Sequence, residues 1–133
     1  MIVVDTNVIA SLYLPGPQTD ATERAVTKEP RWAAPLLWRS ELRNVLGVLA
    51  RTGRCTLSEA LVVMNAALVL LEGSEYEVAS GEVLRLAGES GCSAYDCEFV
   101  ALARDLHVPL VTLDREILDR FPRVAVPLDR FAG

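Results

Sequence analysis

The sequence predicts an α/β fold with a central, mostly parallel sheet and helices on both of its faces. Two largely apolar runs each end in an acid, Ile2-Val3-Val4-Asp5 and Leu110-Val111-Thr112-Leu113-Asp114, and further short strand-like runs alternate with helical patterns along the whole chain. Short apolar runs bounded by turn residues suit strands buried on both faces. Strand–helix alternation is the pattern of parallel crossover units.

Taken in order, Ile2 to Val4 reads as a first strand, with Asp5 where the chain leaves the sheet. Open α/β sheets bind their ligands at that carboxyl end. A strand this early leaves no room for a signal peptide ahead of it. Val8 to Leu14 carries a short helical pattern that Pro15-Gly16-Pro17 stops. Gln18 to Glu29 reads as a polar amphipathic helix, Trp32 to Pro35 as a second strand, and Leu36 to Arg51 as a long helix ended by Gly53. Thr56-Leu57-Ser58-Glu59 has the spacing of a capping box. The helix it opens, to about Leu71, is apolar almost all round and must be covered on both sides. In so small a chain, a second copy is the expected cover. Tyr76 to Val78 suits a short strand, Ser80 to Glu89 a helix broken by Gly91, and Ala94 to His107 another helix. The second acid-terminated strand follows, then a helix over Arg115 to Arg120 and a last strand over Val124 to Val126. Residues 1–133 read as a single domain.

Composition narrows the function classes. With 51% hydrophobic and 23% charged residues, the chain is globular rather than disordered. No apolar run approaches the roughly 18 residues of a membrane span. Net charge −5 and a pI of about 4.9 argue against a general nucleic-acid binder, yet permit an enzyme that meets phosphates through cations held by carboxylates. Cys55, Cys92 and Cys97 have no C-x-x-C spacing, and His107 is the only imidazole, so a zinc site is not expected. Reduced thiols in a cytoplasmic protein are the default.

Four acids carry the chemistry. Asp5 and Asp114 each end a strand and precede a helix, where Asp also serves simply as an N-cap. At about 100° per residue, Glu41 falls between Val48 and Val45 on the apolar arc of its helix, with Arg39, Arg43 and Asn44 mostly turned the other way. A carboxylate there needs a partner, and an arginine across a helix interface is the plain alternative to a functional role. Asp96 shares a helix face with Phe99, Val100 and Ala103, opposite Glu98 and Asp105. Ser93-Ala94-Tyr95-Asp96 is also spaced like a capping box with Asp in place of Glu. Four converging carboxylates with no bases nearby call for a divalent cation, and all-oxygen ligation suits Mg²⁺ or Mn²⁺. The implied chemistry is metal-assisted phosphodiester hydrolysis.

Asp5-Thr6-Asn7, Ser40-Glu41, Ser93-Ala94-Tyr95-Asp96 and Leu110-Val111-Thr112-Leu113-Asp114 together resemble the PIN-domain nucleases, and among them the VapC toxins of toxin–antitoxin pairs. Each motif is short; their order, their spacing and the chain's length all match. The resemblance implies a PIN-like α/β/α sandwich and an Mg²⁺ or Mn²⁺ pocket in which Asp5, Glu41, Asp96 and Asp114 are the metal-binding and catalytic acids. It also places Thr6, Asn7 and Thr112 at supporting polar positions that orient carboxylates or water. It further implies endonucleolytic cleavage of RNA, a homodimer, and a VapB-like antitoxin that reaches the pocket with a basic side chain. Two other classes compete. One is a catalytically inactive PIN-like interaction module, which would have no reason to keep four acids. The other is a phosphotransfer domain of the receiver or haloacid-dehalogenase type, disfavoured because Asn7 stands where a second Asp is wanted and Lys28 is the only lysine. His107 suits a helix C-terminus, Trp32 and Trp38 suit the core, and surface exposure is the plainer account of Arg115 and Arg120.

Overall fold

The computed structural model describes residues 1–133. Strands β1 (Ile2–Val4), β2 (Trp32–Pro35), β3 (Glu75–Tyr76), β4 (Leu110–Thr112) and β5 (Ala125–Pro127) form one sheet in the order β3-β2-β1-β4-β5, parallel throughout. Between them lie α1 (Thr6–Tyr13), α2 (Thr19–Lys28), α3 (Leu37–Arg51), α4 (Leu57–Leu70), α5 (Ser80–Ser90), α6 (Ala94–Leu106) and α7 (Arg115–Arg120), and α8 (Leu128–Ala132) follows β5. Successive strand side chains point to opposite faces. Every residue of β1, β2 and β4 is buried, so helices cover the sheet on both sides.

The topology creates the crevice. From β1 the chain builds outward through β2 and β3, then returns to the other side of β1 for β4 and β5. Strand order thus reverses between β1 and β4, the switch point at which such sheets leave room for a ligand. Val4 stands opposite Val111, and the Asp5 amide donates to the Val111 carbonyl at 3.0 Å. The two acid-terminated strands therefore end side by side.

Helix boundaries follow their caps. Asp5 caps α1, which begins at Thr6 rather than at Val8 as the apolar pattern alone suggested. Thr56 and Glu59 form the expected capping box on α4. Gly91, at φ 77°, closes α5 in the left-handed region, which leaves Ser93 free to open α6. His107 closes α6 at φ 54°, a structural place at a helix end. β5 lies one residue later than expected, while β3 starts one residue earlier and ends two residues earlier. No periodic pattern announces α8, which is tied to α2 where Lys28 Nζ donates to the Phe131 carbonyl at 2.7 Å and sits 4.6 Å from its ring centroid.

Two expectations about α3 are corrected. Its buried stripe is Trp38, Leu42 and Leu46, whereas Val45 and Val48 are exposed, so Glu41 stands at the margin of the core and not within it. Asn44, expected to turn away from Glu41, shares a cleft with it. α4 turns the small side chains Ala60 and Ala67 inward with Met64 and leaves Leu61, Val62 and Val69 exposed at 52%, 69% and 71%.

Candidate metal centre

β1 delivers Asp5 to the switch point, almost fully buried. Its Oδ1 accepts from the Thr6 amide at 2.8 Å, while its Oδ2 accepts from Thr112 Oγ1 at 2.7 Å and, at 3.4 Å, from Asn7 Nδ2. β4 delivers Asp114, whose Oδ1 caps α7 by accepting from the amides of Glu116 and Ile117 at 2.9 and 3.2 Å. The Thr112 hydroxyl joins the two acids, since it also accepts from the Asp114 amide at 3.0 Å. Asn7 Oδ1 accepts from the Leu113 amide at 3.3 Å, a second tie between the ends of β1 and β4. Asp5 and Asp114 are thus N-caps, as their positions allow, and the capping geometry is what aims them.

Helices bring the other two acids. Thr6 Oγ1 donates to Glu41 Oε1 at 2.7 Å, which settles the partner of that carboxylate: it is a hydroxyl, not an arginine. Arg39, two residues before Glu41 on α3, instead forks onto Glu75 at 2.6 Å through both Nε and Nη2. Ser93 Oγ accepts from the Asp96 amide at 3.1 Å, so half of the expected capping box forms. The reciprocal bond from the Ser93 amide to Asp96 is not made, and that carboxylate faces the cleft.

All four acids line one open cleft of about 680 Å³, together with Thr6, Asn7, Leu37, Ser40, Asn44, Val45 and Tyr95. No Lys, Arg or His contributes to the lining. Burial is the main reason that the carboxyl of Asp5 is pushed up to about 6; the bonds from Thr112 and the Thr6 amide pull it down, and the charges of Asp96 and Glu41 push it further up. Burial likewise raises Glu41, with Asp96 and Glu98 adding repulsion, and raises Asp96, with Asp114 adding repulsion.

The donor set bears on which group fits here. As the side chains are placed, no three of the His, Cys, Asp and Glu residues stand close enough together to hold a metal ion. The available donors are nevertheless all oxygens or amides, four of them carboxylates, and three of those carboxylates are held above their ordinary range by burial and each other. That chemistry fits a hard divalent cation and not a thiolate- or imidazole-loving one. Asn44 and Tyr95 were not singled out by sequence reasoning. Asn44 had a usable signal, three residues after Glu41 and hence on the same helix face.

Comparisons with known proteins agree with this fold. A family model of the PIN domain matches residues 2–126. Ribonuclease VapC3 of Pyrobaculum aerophilum is 31% identical over 129 residues, covering 95% of this chain and 98% of that protein. Among solved structures, PAE2754 of Pyrobaculum aerophilum superposes with a TM-score of 0.79 at 25% identity, covering 98% of this chain and 92% of that one. A toxin–antitoxin complex from Klebsiella pneumoniae superposes at 0.72 and 17% identity, covering 96% of this chain and 98% of that one, and bears on the fold alone.

Proposed function

We propose, from the premise that this chain belongs to the PIN domain family, that it is a metal-dependent endoribonuclease and the toxin of a toxin–antitoxin pair. The observation that carries the proposal is the convergence of Asp5, Glu41, Asp96 and Asp114 on one cleft with no cation of its own. The relationship to a ribonuclease VapC over nearly the whole chain supports RNA as the substrate.

Asp5, Glu41, Asp96 and Asp114 would hold Mg²⁺ or Mn²⁺. Bound there, such an ion acidifies water and neutralises charge developing on a phosphodiester. Thr112 fixes Asp5 by its buried hydroxyl, Thr6 fixes Glu41, and Asn7 braces β1 against β4, so the carboxylates are positioned before any ligand arrives. The open mouth admits a polymer strand, and the absence of lining bases leaves the acids free to serve a cation.

The exposed apolar face of α4 supports a homodimer, because Leu61, Val62 and Val69 have no cover within the chain. The antitoxin is proposed on the ground of the family relationship, and the acidic cleft would suit a basic side chain from it. Incubation with RNA and Mn²⁺, with and without EDTA, tests the central reading. Cleavage should require the ion and vanish in Asp5→Asn. Cleavage that persists in EDTA would refute metal dependence.

A further inference from the structure

The lining of the cleft poses a problem for binding RNA. Proteins generally hold nucleic acid by neutralising phosphates with Lys and Arg, and this cleft has neither. The sequence-tolerant alternative is a stack between a base and an aromatic ring.

Among the Phe, Trp and Tyr side chains, only one ring is free to offer it. Trp32, Trp38 and Phe99 are fully buried and Phe121 is buried. Phe131 lies under Lys28, the Tyr13 hydroxyl donates to the Ala66 carbonyl at 3.2 Å, and Tyr76 is half-buried in β3. Tyr95 is 64% exposed, and it lines the same cleft as the four acids. It stands in the first turn of α6, immediately before Asp96, on a helix start pinned by the Ser93 cap. A large ring left in water at the rim of a polar cleft contributes little to the fold. Held on a rigid element beside an acid of the site, it is well placed to meet a ligand.

We propose that Tyr95 is the platform on which one unpaired base of an RNA strand stacks while the adjoining phosphodiester enters the cleft. This rests on the ribonuclease reading above. The bases of a duplex are already stacked on one another and cannot use the ring without being pulled out. The polar groups of Asn44 and Ser40 on α3 line the same cleft and are available to the nucleotide beside the ring.

The test uses an unstructured oligoribonucleotide of mixed sequence carrying 2-aminopurine, and the same strand annealed to its complement, with Mn²⁺ present. Wild-type protein is compared with Tyr95→Ala, Tyr95→Phe and Tyr95→Trp. Expected for Tyr95→Ala is a KM for the single strand raised roughly 5- to 150-fold, the span that loss of one base–aromatic stack gives, with kcat little changed. Tyr95→Phe and Tyr95→Trp should stay near wild type, and the quenching of 2-aminopurine on binding should be lost only in Tyr95→Ala. For the duplex, Tyr95→Ala should make no difference. A single-strand KM in Tyr95→Ala within about twofold of wild type, well below the effect of one lost stack, overturns the proposal and leaves the nuclease intact. So does an equal loss on single strand and duplex, or a change in sedimentation without a change in RNA handling, which would make the ring a protein contact. If wild type neither binds nor cleaves either RNA while Asp5→Asn behaves identically, the nuclease reading falls and this proposal falls with it.

Discussion

Replacing Asp5 by Asn should end catalysis and at the same time stabilise the metal-free fold. The carboxyl is almost fully buried and is pushed from 3.8 to about 6, chiefly by burial and secondarily by its acidic neighbours. That rise corresponds to about 3 kcal/mol, at about 1.4 kcal/mol per tenfold change in proton affinity. The folded state binds the proton more tightly than the unfolded chain, so the native protein carries more protons between the two values and loses stability as pH rises through that window. The penalty is absent well below 3.8 and complete above about 6. Asn is as good an N-cap as Asp and keeps an oxygen for the Thr6 amide. Against this, a charge-assisted bond from Thr112 is replaced by a neutral one, which lowers the expected gain to about 1–3 kcal/mol near pH 8. Urea unfolding of wild type and Asp5→Asn in EDTA, at about pH 8 and again towards pH 4, measures it. The variant should unfold at higher urea in the alkaline series, and the two should draw together in the acid one. A variant less stable than wild type at pH 8, or a difference that does not shrink on acidification, would show that the ionised carboxylate is not strained where it sits.

Three further outcomes follow from the same geometry. Mn²⁺ should raise the Tm of wild type, with about 1.4 kcal/mol gained for each tenfold excess over Kd, and should do so far less in Asp5→Asn or Asp96→Asn by thermal scanning. Thr112→Val removes the donor to Asp5 and the acceptor for the Asp114 amide. Its metal affinity or activity should drop on the order of 10- to 100-fold, and because the lost bond lowers the proton affinity of Asp5, the acid limb of the rate profile should move to higher pH; Thr112→Ser should restore both. Val62→Glu, on the exposed face of α4, should shift sedimentation from dimer to monomer while circular dichroism stays unchanged, and a wild type that sediments as a monomer would remove the dimer reading.

The parts of this molecule legible in its sequence were those written in local chemistry. Ile2-Val3-Val4-Asp5 and Leu110 to Asp114 announced strands ending in acids, and Thr56 with Glu59 announced the start of α4. What stayed hidden depended on how elements pack. The helical arc of α3 was apolar over Val45 and Val48 as well as over Leu42 and Leu46, and only the packed fold decides that the valines face out. Asn44 shares the cleft with Glu41 for the same reason, since an arc centred on the whole apolar set, and not on its buried part, turns Asn44 away. α8 is too short for a periodic signal and exists because Leu128 is buried and Phe131 meets Lys28 of α2. Neither pairing order nor the switch point between β1 and β4 follows from local pattern, although the position of Asp5 and Asp114 at one sheet edge depends on both.

The plain and the functional accounts of these acids are not rivals. Asp5 and Asp114 cap helices, and each cap occupies Oδ1 with backbone amides, which fixes the plane of the carboxyl. Asp96 sits in the first turn of α6, where the positive end of the helix dipole favours its charge. Three of the acids are thus steadied by helix starts. Glu41 lies within α3 with no such help, and it depends on Thr6, itself the first residue of α1 and the donor of the amide that Asp5 accepts. One threonine therefore couples the acid without dipole support to the acid that is most deeply buried. Removing its hydroxyl alone, in Thr6→Val, should release Glu41 while leaving the amide bond to Asp5 in place, so metal affinity should fall with little change in the cap-dependent stability of α1.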